Sequence, residues 1–162
     1  VIHLITGNTG AGKTTYALAL KKEVKGVIFS IDYWNKTLFL DDKKETDGVD
    51  WFLERINRSD EMIQSLIIQL HEAGTPAILD LGFAKADRRA RFYAFAKAQQ
   101  IPFQLHFLDI DKEVRQQRVT HRNLEKGTTY QFDVSPADFE FMETWFEPLT
   151  SEERKIAYIK KG

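Results

Sequence analysis

Gly7-Asn8-Thr9-Gly10-Ala11-Gly12-Lys13-Thr14 is the stretch on which the reading of this chain turns. It matches G-x-x-x-x-G-K-[ST] through Gly7, Gly12, Lys13 and Thr14. Before it stands Val1-Ile2-His3-Leu4-Ile5-Thr6, a short apolar run with the character of a strand. After it, Thr14 to about Val24 places Tyr16, Ala17, Leu20 and Val24 on one helical face, and Gly26 ends the pattern. A glycine-rich turn between a strand and a helix is the setting in which this pattern holds phosphate.

The physical reasons are separable. Gly7, Gly10 and Gly12 admit backbone conformations closed to other residues and let the chain approach oxygens closely. Successive loop N–H groups then form an anion nest, and the following helix turns its positive end to the same point. Lys13 is placed for the β- and γ-phosphates and Thr14 for Mg²⁺, with Thr15 within reach of the α-phosphate. The expected ligand set for a nucleoside triphosphate, ATP with Mg²⁺, is Gly7, Asn8, Thr9, Gly10, Ala11, Gly12, Lys13, Thr14 and Thr15. The bland alternative is a glycine-rich turn carrying a surface lysine.

Outward from this stretch, strand and helix patterns alternate. Val27 to Ile31 reads as a second strand closed by Asp32, and residues 33 to 48 as an irregular connection. A long helix spans about 50 to 73, with Ile56, Ile63, Leu66, Ile67 and Leu70 in period. Pro76 to Leu81 is a strand running through Asp80, and Ala86 to Gln100 a helix. Phe103 to Leu108 is a strand and Lys112 to about Leu124 a helix. Ser135-Pro136-Ala137-Asp138 has the form of a helix start, and Ile156 to Ile159 that of a fifth strand. The alternation implies a parallel sheet with helices on both faces, whose ligands bind at the carboxyl ends of the strands. Asp32, Asp80 and the glycine-rich loop are therefore expected on one rim.

Asp32 suits a base that takes the proton of an attacking hydroxyl, or else a capping residue of the next segment. Asp80 closes Ala77-Ile78-Leu79 either as a Walker B acid, which would hold Mg²⁺ together with Thr14, or as a structural cap. Asp109 has the same form and is read as a turn residue. Arg115, Arg118 and Arg122 share a helix face at spacings of three and four. A guanidinium can neutralise the charge of a transferring phosphoryl group, and Arg118 and Arg122 are given that role. Arg115, like Arg88, Arg89 and Arg91, is read as solvated. Asn123 to Phe132, with Gly127, reads as a loop, and a lid is placed at about 123–135.

His3, His71, His106 and His121 lack metal-ligand spacing, and His3 and His106 are expected in the core. Tyr33, Trp34 and Phe39 could line an acceptor pocket, whereas Trp51 and Phe52 are assigned to packing. The chain has 162 residues, so one domain, 1–162, is expected. The formal net charge of −1 gives no support to general polyanion binding, and with no cysteine there is no disulfide or zinc thiolate. No apolar run approaches a membrane span, and the chain opens as a strand, not as a signal peptide; a cytoplasmic location is expected.

Gly7 to Thr15, Ser30-Ile31-Asp32-Tyr33-Trp34, Ile78-Leu79-Asp80-Leu81-Gly82 and Arg118-Val119-Thr120-His121-Arg122-Asn123 together resemble the P-loop kinases of the AAA_33 type. These are similar to the kinase domain of phage polynucleotide kinase, to chloramphenicol phosphotransferase and to zeta toxins. The resemblance implies a P-loop α/β three-layer sandwich, its five-stranded sheet in the order 2-3-1-4-5, with a small lid. It implies Asp32 as general base, Arg122 as the lid arginine on the transferring phosphate, and Arg118 as its partner one turn earlier. Many relatives have Pro where Thr9 stands, and the arginines that polynucleotide kinases carry near the base are replaced here by Tyr-Trp-Asn-Lys, leaving Lys36. The reading is an ATP-dependent phosphotransferase acting on a small-molecule hydroxyl, with catalytic Asp32, Lys13 and Arg122. A polynucleotide 5′-hydroxyl kinase and a nucleotide-dependent regulatory ATPase are the alternatives.

Overall fold

The computed structural model describes residues 1–130 and 132–162. Five strands form one sheet: β1 (Ile2–Thr6), β2 (Val27–Ser30), β3 (Ala77–Asp80), β4 (Phe103–Asp109) and β5 (Ala157–Lys161). Their order is β2-β3-β1-β4-β5 and every neighbouring pair is parallel, as expected. The register aligns Ser30 with Asp80 and Leu4 with both Leu79 and Leu105.

The period of two in the strands divides the core. Ile2 and Leu4, Ala77 and Leu79, and Leu105 and Phe107 face one side, where they pack with Ile63 and Ile67 of α3 (Val49–Glu72) and Phe92 and Ala96 of α4 (Ala86–Ala98). Ile5, Ile78 and Leu108 face the other, against Ala17 and Leu20 of α1 (Lys13–Val24). Strands buried on both faces read as continuous apolar runs, which is why β1 and β3 stood out in the sequence.

Two histidines break the apolar pattern on the α1 side. His3 Nδ1 lies 3.0 Å from His106 Nε2, and His106 Nδ1 lies 2.7 Å from the Tyr16 hydroxyl. The pair is in the core, as expected, and both nitrogens of His106 are satisfied, one by His3 and one by α1.

The segment after β2 departs from expectation. Instead of an irregular connection, the chain turns at once into α2 (Ile31–Trp34), a π-helical turn (Asn35–Phe39) and a 3₁₀ turn (Leu40–Asp42). Ser30 is its cap: the Ser30 Oγ accepts from the N–H of Tyr33 at 3.4 Å. Asp32 thus sits in a first helical turn, where an acid also meets the helix dipole favourably. Beyond β4 lie α5 (Lys112–Glu125), α6 (Pro136–Trp145) and α7 (Ser151–Ile156). Capping boxes start both α6, at Ser135, and α7, at Thr150; only the first was read from sequence. The expected lid includes Gln131, which lies outside the described residues.

Arg89, expected on a solvated face, has no exposed surface at all. Its guanidinium donates to Glu153 at 2.7 and 3.1 Å and to the carbonyls of Phe83, at 2.9 Å, and Glu147, at 3.2 Å. Burial pushes the Glu153 pKa up, and the hydrogen bonds from Arg89, Tyr93 and the N–H of Thr150 outweigh it, so the carboxylate stays ionised. The pair fastens the turn after β3 to α7. Trp51 and Phe52 pack edge to face on each other at 5.0 Å and, half-buried, lie outside the main core.

Burial, then the neighbouring His3, lowers the His106 pKa to about 4 from an ordinary 6.5. Between these values the unfolded chain binds a proton that the folded chain does not, so stability falls with pH from about 6.5 downward, by up to about 3 kcal/mol at pH 4. Urea midpoints at pH 7 and pH 5 test this. The drop should shrink in His106→Gln, and equal drops in both proteins would contradict it.

Candidate functional site

The loop between β1 and α1 is shaped by its glycines and held by its carbonyls. Gly10 and Gly12 have φ of +81° and +90°, in the left-handed region. The Asn8 carbonyl accepts from the Ala11 N–H at 3.0 Å and from Lys13 Nζ at 3.2 Å. The carbonyls of Thr9 and Ala11 accept from Arg115 and Arg118, each at 3.2 Å. With its carbonyls engaged from the flanks, the loop closes around the start of α1. That helix has neither a side-chain cap nor an acid in its first turn, so its leading N–H groups are left to an external acceptor.

The rim gathers residues far apart in sequence. The Thr14 hydroxyl donates to Asp80 Oδ2 at 2.8 Å, which joins the head of α1 to the end of β3. Asp80 is almost fully buried. Asp32 stands near it, two residues beyond Ser30, the register partner of Asp80, and is exposed at the rim. Desolvation and then the negative charge of Asp80 raise the Asp32 pKa, while Lys13 and Arg122 pull it down. Desolvation also raises Asp80, opposed by Lys13 and by the Thr14 hydrogen bond. Lys13 is shifted the other way: burial lowers its pKa, Asp80 and Asp32 raise it, and Arg122 and Arg115 lower it further. These five groups therefore share one electrostatic unit.

Of the three arginines on α5, the structure separates what the spacing grouped. Arg115, Val119 and Arg122 form the inward stripe, and Arg118 lies off it, exposed, with its guanidinium on the Ala11 carbonyl. Arg115 is buried, which corrects the solvated assignment. The apolar Val119 between the two arginines was the signal that this stripe faces inward. Arg122 Nε is buried with no hydrogen-bond partner among the described residues. Arg88 is likewise not solvated: it forks onto Asp60 at 2.6 and 2.9 Å and donates to the Leu81 carbonyl. Asn35 and Ser59, which sequence reading passed over, have buried side-chain oxygens with no described partner. Asn35 follows Asp32 by one helical turn, and Ser59 precedes the Arg88-bound Asp60.

A cleft of about 510 Å³ opens beside the loop, lined by Gly12, Thr15, Tyr16, Leu20, Leu108 and Arg118, among others. Tyr33 is exposed on the rim side, while Trp34 packs toward Phe29 at 6.1 Å.

As a donor set, a Thr14 hydroxyl against an Asp80 carboxylate fits Mg²⁺, which takes hard oxygen ligands and leaves most positions to water and phosphate. No cluster of three or more His, Asp or Glu side chains suited to a metal exists among the described residues, so a dedicated protein cage is not what this site offers.

Comparison with known families matches residues 2–149 to AAA_33, an AAA domain. The chain belongs to this family. Its fold is that of the P-loop kinases. It is similar to Kti12 of Chaetomium thermophilum, solved with ADP-AlF3, at TM-score 0.70 and 14% identity, covering 99% of this chain and 88% of that one. It is also similar to a gluconokinase from Sinorhizobium meliloti, at TM-score 0.60 and 13% identity, covering 98% and 81%. An APS kinase of Mycobacterium tuberculosis, solved with AMPPNP and APS, matches at TM-score 0.58 and 17% identity over 78% and 72%. No curated protein sequence matches the chain. No described helix is long and apolar enough to cross a membrane.

The loop's dependence on glycine can be tested by stability. A Cβ on Gly10 would fall 2.5 Å from the Arg115 carbonyl, whereas one on Gly74, at φ +72°, meets nothing within 4 Å. Gly74→Ala should cost about 1–2 kcal/mol, the backbone term alone. Gly10→Ala should cost clearly more in the same urea titration; equal costs would mean that the loop can move away from α5.

Proposed function

We propose that this chain binds ATP with Mg²⁺ and transfers the γ-phosphoryl group to a hydroxyl of a small molecule. The observation that carries this reading is the joining of Lys13, Thr14, Asp80, Asp32 and Arg122 at one rim, at the open head of α1. A P-loop alone would serve a switch as well as a kinase. An acid whose pKa is raised, beside the phosphate cradle, adds what transfer needs.

In this reading the loop N–H groups and Lys13 hold the β- and γ-phosphates, and Arg118 lies over the neighbouring cleft. That cleft takes the nucleoside, with Tyr16 and Leu20 as its floor. Bound through Thr14 and Asp80, Mg²⁺ would neutralise charge on the β- and γ-oxygens. Asp32 accepts the proton of the attacking hydroxyl as its oxygen bonds to the γ-phosphorus. The bond from that phosphorus to the bridging oxygen breaks, and ADP carries the electron pair away. Arg122 donates to the γ-oxygens as their charge spreads, a role supported by its Nε having no described partner. One domain, 1–162, supplies all of these residues.

The test follows the label from γ-labelled ATP into pools of sugars and sugar alcohols, amino alcohols, nucleosides and oligonucleotides, with wild type and Asp32→Asn. Label should enter a small hydroxyl compound. Asp32→Asn should reduce transfer by about 10²–10⁴-fold while MgADP still binds. Undiminished transfer in the variant would remove Asp32 as base, and label confined to oligonucleotide ends would replace the acceptor class.

A further inference from the structure

Arg115 makes contacts that neither phosphate holding nor proton transfer requires. Its Nε donates to the Ile110 carbonyl at 2.8 Å, where β4 turns into α5. Its Nη1 donates to the Thr9 carbonyl in the phosphate loop at 3.2 Å and pairs with Glu143 on α6. The guanidinium also lies 5.6 Å from the ring centre of Phe139, on the same helix as Glu143. The Arg115 backbone is the surface against which Gly10 presses. One side chain, 6% exposed, therefore joins the loop, the β4–α5 turn and α6. One and two turns further along α5 come Arg118 and Arg122.

We propose that Arg115 is a positioning residue that couples occupancy of the phosphate loop to α6 through Glu143. This rests on the nucleotide reading above. The loop can shift on binding phosphate only if the Thr9 carbonyl moves with it or releases Arg115. Either event is felt at Glu143, because the same Nη1 serves both. Arginine suits this coupling because its planar fork holds several acceptors in fixed relative positions, which a lysine cannot do. Such coupling is reciprocal, so a contact that passes binding energy to α6 also sets nucleotide affinity.

Glu143→Gln is the variant of choice. Glu143 is partly exposed and the substitution is isosteric, whereas Arg115→Met strips a buried charge and risks the fold. The experiment measures hydrogen exchange over residues 136–145 with and without MgADP, together with the MgADP dissociation constant and the melting temperature. In wild type, MgADP should slow exchange in this helix. In Glu143→Gln the slowing should vanish and MgADP should bind about tenfold more weakly, within the range typical of coupled sites. Arg115→Lys should fall between the two. If Glu143 is only structural, the variant will melt lower yet keep the nucleotide-dependent slowing and bind MgADP within about twofold of wild type, which overturns the proposal. Wild type that does not bind MgADP would overturn the nucleotide reading and this inference with it.

Discussion

Lys13 holds its ammonium in a cleft where burial disfavours charge, and Asp80 and Asp32 supply the compensation. The arrangement is a constraint as much as an attraction. Desolvation raises the pKa of both carboxylates, and the charge of Asp80 raises that of Asp32 further. The charge of Lys13 lowers the pKa of both and so favours their ionised forms. Arg122 adds positive charge from α5, where Arg115 has its own partner in Glu143. Each partner must arrive from a different segment, and the topology has to bring them there.

A parallel sheet does so without long loops. In the order β2-β3-β1-β4-β5, β1 is central, and its carboxyl end delivers the loop between the ends of β3 and β4. The acid of β3 is then within one hydrogen bond of the first turn of α1. The helix that leaves β4 lays its arginines along the other flank of the loop. The two halves of the core, divided by the alternation of side chains along the strands, fix α1 on one face and α3 with α4 on the other. Arg89 and Glu153, both buried, tie the turn after β3 to the last helix and so stiffen the rim from behind.

Much of this was legible in the sequence, and for identifiable reasons. The glycine-rich stretch has fixed spacing because backbone geometry demands it. The strands are continuous apolar runs because they are covered on both sides. Asp32 and Asp80 could be placed on one rim from the alternation of elements alone, before any contact was known. Charged residues were where the reading failed. Arg89 and Arg115 look like members of basic runs, and composition cannot show whether a guanidinium meets water or a carboxylate far along the chain, as Glu153 and Glu143 are. Periodicity held a hint in both cases: Arg89 falls in step with Phe92 and Ala96, and Arg115 with Val119. The helix after β2 was missed because Ser30 and Ile31 were read as the end of the strand, which hid Ser30 as a cap.

If the loop and Lys13 form a phosphate cradle, triphosphate binding must depend on the lysine. A calorimetric titration of wild type and Lys13→Ala with MgATP tests it most directly. Wild type should bind saturably and one to one, and the folded variant should lose at least about tenfold in affinity, or 1.4 kcal/mol. Absence of binding by wild type, or equal affinity in the two proteins, would contradict it.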